Sequence, residues 1–140
     1  MRLVPAALLF SALPALLAAN DTREVATRQE LMRQSEAVLA MIESGDGDTA
    51  LLADTLAAML TAFPLLFPEP GADATPSSAA PAIWQRPEEF HALATRAVTE
   101  VRAIAEGDAE APARLRETCA ACHADFLHFD PFGAMKAADN

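Results

Sequence analysis

Two thiols and an imidazole stand close together near the end of the sequence, in the run Cys119-Ala120-Ala121-Cys122-His123. The chain has no other cysteine. A disulfide between these two would close almost no loop and so remove little entropy from the unfolded chain. On a helix, positions three apart share a face, so both sulfurs can be offered to one flat partner. His123 lies one turn beyond Cys119 and can bring its ring under the centre of that partner. The pattern C-x-x-C-H reads as a c-type haem attachment site, with thioether anchors at both cysteines and His123 as axial iron ligand. A dithiol redox pair would sit at a strand-to-helix junction, and no strand-like alternation stands out. A zinc site needs four ligands, and a second Cys/His pair at finger spacing is missing. His91 and His128, the remaining histidines, read as solvated surface residues. The expectation is one haem c per chain, covalently attached.

The elements that must position this group are helical. A first helix is expected from Thr22 to Glu43, where Val25, Met32, Leu39 and Ile42 recur on one face and Gly45 and Gly47 break the pattern. A second starts after Asp46 or Asp48, either of which can cap it. Its stripe is Leu52, Leu56, Met59, Leu60 and Phe63, and Pro64 ends it. Residues 64–86 are rich in proline and read as a long connection, not a helix, with Phe67, Ile83 and Trp84 giving it something to bury. A third helix opens at Pro87 with acidic Glu88 and Glu89 in its first turn. Phe90, Leu93, Ala97, Val101 and Ile104 line its inner face, and Gly107 is a plausible C-cap. A fourth begins near Asp108, with Leu115, Cys119, Cys122, Phe126 and Phe129 on one face and an irregular tail from Asp130 to Asn140. The reading is all-α: an antiparallel four-helix bundle with a long loop between helices 2 and 3.

The 140 residues leave room for one such domain. Residues 1–19 read as a signal peptide: Arg2, an apolar run from Leu3 to Leu17, then Ala18 and Ala19 before the cut. The run is short and carries Pro5 and Pro14, so no stable membrane span is expected after cleavage. Residues 20–140 form the haem domain, placed in the periplasm. Without Arg2, 9 basic residues face 20 acidic ones, a formal charge of −11. That surface excludes nucleic acid as a partner and biases encounters toward basic proteins.

Three segments in order make the chain resemble the class II c-type cytochromes, the cytochrome c prime group with its low-spin Met/His relatives. They are Thr27-Arg28-Gln29-Glu30-Leu31-Met32, then Phe63-Pro64-Leu65-Leu66-Phe67-Pro68 with Pro81-Ala82-Ile83-Trp84 and Phe90, then C-x-x-C-H late in the chain. The group's fold is the four-helix bundle, of which cytochrome c′ is a standing example. The resemblance implies that Arg28 meets a haem propionate, that Gln29 lies beside the haem, and that Met32 faces the distal side of the iron, where it is a candidate sixth ligand. It also implies redox partner proteins and a homodimer formed through the first two helices. Many gas-binding members carry a basic residue where this chain has Leu127 and a lysine where it has Ala120. The apolar residues here are more like the low-spin branch. One-electron transfer is therefore the expected function, and no acid–base or nucleophilic constellation points to an enzyme. The alternative is a five-coordinate haem that binds nitric oxide or carbon monoxide.

Overall fold

The computed structural model describes residues 13–67 and 77–128, with side chains from residue 23 onward. Residues 1–12, which hold most of the expected signal peptide, the middle of the proline-rich connection, Phe129 and the tail lie outside the described residues. Helix α1 spans Leu13–Ser44, α2 Thr49–Ala62, α3 Ala82–Gln85, α4 Pro87–Ala105 and α5 Ala111–Phe126, with a 3-10 helix over Phe63–Leu66. Helices α1, α2, α4 and α5 form the antiparallel four-helix bundle. Helix α1 packs against α2, α2 against α4, and α4 against α5.

Helix α1 starts at Leu13, earlier than the expected Thr22. Leucine and alanine dominate that stretch and are strong helix formers, and no breaker stands between Pro14 and Gly45. The turn after α1 needs Gly45 at φ 73°, a left-handed conformation that costs other residues about 1 kcal/mol or more. Asp48 is the cap of α2, its carboxylate accepting from the Leu51 amide at 3.1 Å. The fourth bundle helix begins at Ala111, later than Asp108, because Gly107 and Asp108 complete the turn that closes α4. Asp108 then accepts from the Glu110 amide at 2.9 Å.

The described parts of the connection, residues 64–67 and 77–86, hold short helices where none were expected. Pro64 occupies the first turn of the 3-10 helix instead of simply ending α2, a position where its missing N–H costs nothing. The one-turn helix α3 turns the chain into α4. Within it Ile83 is the buried residue, while Trp84 is half-buried and rests edge-on against Phe67 at 6.0 Å.

The core has two parts. At the end of the bundle with the two tight turns, Leu39, Ile42, Ala53, Leu56, Ala97, Val101, Ile104, Ala111 and Leu115 form a closed aliphatic cluster. At the other end Ile83, Phe90 and Phe126 are buried among Phe63, Phe67 and Trp84. Phe90 is the hub, meeting Phe67 at 5.1 Å and Phe126 at 5.3 Å, both edge-to-face. Phe90→Ala should therefore lower the unfolding free energy by about 3–5 kcal/mol. Trp84→Ala should cost less, since its ring is only partly withdrawn from water. Denaturant midpoints measure both, and a Trp84→Ala loss as large as that of Phe90→Ala would contradict this packing.

Candidate functional site

Where the aliphatic cluster ends, the bundle opens into a cleft of about 330 Å³. Its two long walls come from different helices. From α1 come Val25, Arg28, Gln29 and Met32; from α5 come Thr118, Cys119, Cys122, His123 and Phe126. The sequence placed each set on its own helix, and the fold brings all six candidate residues to one cavity. Thr118 turns its hydroxyl back to the Arg114 carbonyl at 3.0 Å, so this buried residue adds no unpaired polar atom to the wall.

The candidate residues differ in exposure. Cys119 and Cys122 are half-buried free thiols, and His123 keeps an exposed ring beside them. Burial raises the Cys119 thiol, with the Arg116 guanidinium pulling the other way. Burial also pushes Cys122 up to about 11, helped by negative charge at Cys119 and Asp125. Met32 is half-buried and Gln29 exposed at the cleft edge. Read from its residue type alone, Arg28 would be a solvated charge, yet only 5 % of its surface is exposed. One nitrogen donates to the Leu66 carbonyl at 2.8 Å, and the guanidinium lies 4.4 Å over the Phe67 ring. Leu66 ends the 3-10 helix, and its carbonyl has no helical partner, so the arginine acts as a cap there.

The crossover closes the remaining side. Ser77, Ser78 and Ala79 line the cleft, and Ala79 pairs with Leu127 in an isolated antiparallel bridge. The Ala80 amide donates to the Phe126 carbonyl at 3.0 Å, and the His128 amide to the Ser78 carbonyl at 2.7 Å. The C-terminal end of α5 is thus tied to a segment nearly fifty residues earlier. Sequence reasoning missed this strap, because a two-residue backbone pairing leaves no periodic trace.

It also missed the clamp on the opposite side. Arg116 holds Glu43 with Nε and one Nη at 2.9 and 2.8 Å, and both oxygens of Glu36 with the other Nη at 2.8 Å. The hydrogen bonds from Arg116 hold the Glu43 carboxyl below the usual glutamate range. These residues lie more than seventy positions apart, so no spacing rule could join them.

The donor set fits a haem. Two thiols three apart on one helix face can anchor its edge, and an adjacent imidazole can reach the iron. The remaining lining is largely apolar, with a few polar groups at the margin, as cofactor clefts commonly are. Among known proteins, the family described as Cytochrome C' matches residues 22–127. That range covers both walls of the cleft and the crossover between them. Comparisons with curated proteins and with solved structures return no match.

Proposed function

The chain belongs to the cytochrome c′ family of haem-binding c-type cytochromes, and from that membership we propose that it is a periplasmic one-electron carrier whose iron is bound by His123 and Met32. The observation that carries this reading is the single cleft that both residues line from different helices. When bound, the haem supplies a reversible one-electron iron couple. Cys119 and Cys122 would hold it on α5 through thioether links. His123 would give one imidazole nitrogen, and Met32 the thioether that in cytochromes c raises the potential. Phe63, Phe67, Phe90 and Phe126 keep water from one side of the cleft. Arg28, fixed by Leu66 and Phe67, keeps a cation in the wall that suits a cofactor carboxylate.

The family is typically periplasmic, and the leader-like residues 1–19 support export. The acidic surface favours basic redox partners. A second copy of the chain is a further proposed partner, supported by Met41 and Leu51 on the outer faces of α1 and α2, 42 % and 65 % exposed. The stretch Thr49–Leu66 has a mean hydropathy of 1.6, enough by length and composition to cross a bilayer. Its place between α1 and α4, and the 3-10 turn at Pro64, support its reading as a bundle helix.

The test is a visible spectrum of the purified protein in both oxidation states, followed by carbon monoxide. A low-spin ferric spectrum and weak, slow uptake are expected. A high-spin ferric spectrum with ready uptake would move the assignment to the gas-binding branch of the family.

A further inference from the structure

Among the described residues, Arg116 differs from Arg33, Arg86 and Arg114, which also pair with carboxylates. Arg33 pairs with Glu30 on its own helix, and Arg86, the residue before α4, pairs with Glu89 of α4 and at 3.9 Å with Asp125 of α5. Arg114 joins α5 to Glu100 of α4, helices that already pack together. Arg116 instead joins α5 to α1, which face each other across the cleft. Arg116 and Glu36 stand next to the site, and Glu43 lies about two turns beyond Glu36. Arg116 lies one turn before Cys119, and Glu36 one turn after Met32. We propose that Arg116 is a positioning residue: through Glu36 and Glu43 it fixes the Met32 wall against the Cys119–His123 wall and so sets how tightly the sixth iron position is closed. The proposal rests on the reading that haem occupies this cleft.

The geometry suits such a role. A guanidinium gripping two carboxylates about two turns apart on one helix limits sliding as well as separation, which a single point charge would not. Exposed pairs contribute little to folding stability and are screened by salt. The clamp should therefore show itself in access to the iron and not in the unfolding midpoint. Small displacements of a helix carrying a reactive group have large effects on the geometry it serves.

The test uses the haem-loaded protein. Arg116→Met keeps an unbranched apolar stem and removes the fork. Carbon monoxide association with the ferrous protein should rise about fivefold, on the scale of one exposed ion pair. The high-spin ferric share should grow, and the denaturant midpoint should move little. In the unmodified protein, raising salt from about 0.1 M to about 1 M shortens the screening length from about 10 Å to about 3 Å. It should shift both readouts in the same direction, and Arg116→Met should lose that salt dependence. Arg116→Lys should recover part of the effect. If Arg116→Met does not fold, the salt series and the Glu36→Gln, Glu43→Gln double variant make the same comparison. Unchanged carbon monoxide rate and spin state, a flat salt series, or changes that only follow a falling midpoint overturn the proposal. An unmodified protein that is already high-spin would refute Met32 ligation but not the clamp, which the association rate alone then decides.

Discussion

Replacing Cys119 and Cys122 together by alanine is expected to abolish retention of haem by the denatured chain. Unmodified protein, unfolded and extracted with acidified organic solvent, should keep essentially all its haem in the aqueous phase with the polypeptide. The double variant should keep none. Thioether bonds survive unfolding, whereas axial coordination by His123 and packing against Phe90 and Phe126 would not outlast the loss of the cleft. Single replacements test the anchors one at a time: Cys119→Ala and Cys122→Ala should each leave one thioether, which still holds bound haem through unfolding, so that only the double variant releases it. Full release of haem from unmodified protein would show that the two thiols are not anchors, and the reading of the C-x-x-C-H run would fail.

The second large effect is expected at Met32. If its thioether holds the sixth position, a competing gas reaches the iron only in the fraction of molecules where that bond is open. A bond closed 99 % of the time lowers apparent affinity about 100-fold, and removing the competitor restores it. Met32→Ala should therefore convert the ferric spectrum from low to high spin and raise carbon monoxide affinity by about two orders of magnitude. Because Met32 is half-buried and outside both core clusters, the substitution should cost little stability. A variant that stays low-spin would show that another group holds the iron, and Met32 would then be only a wall of the cleft.

Local periodicity made the main helices legible, because each must bury one stripe. Leu115 and Phe126 on α5, and Val101 and Ile104 on α4, are core residues that the stripes identified. The stripe on α5 also carried the cysteines to the same face as Phe126. What stayed illegible depends on partners far away in the chain. Arg28 looks like a surface charge until Leu66 and Phe67 are seen to enclose it. The strap from Ser78 to Ala80 is made of backbone groups that any sequence possesses. The early start of α1 follows from a stretch before Thr22 rich in helix formers, a composition that reads equally well as a signal for cleavage. In the crossover, proline marked the end of regular pairing but not the short helices that fit around it, since proline is welcome in their first turns.

The position of the two thiols within α5 bears on the order of events during maturation. In the folded chain they are half-buried, and Cys122 holds its proton up to about 11. Sulfur reacts as thiolate, and in an unfolded chain a cysteine ionises near its ordinary value of about 8.5. If the two thiols are the haem anchors, folding would compete with modification, because the closed bundle withdraws the sulfurs from reaction and narrows the approach for a large planar molecule. On that reading the chain would be best loaded while α5 is still free of α4, and slow closure of the aromatic end would favour complete modification. Substitutions that speed folding would be expected to leave more of the protein without its cofactor, a defect of yield that no stability measurement would reveal.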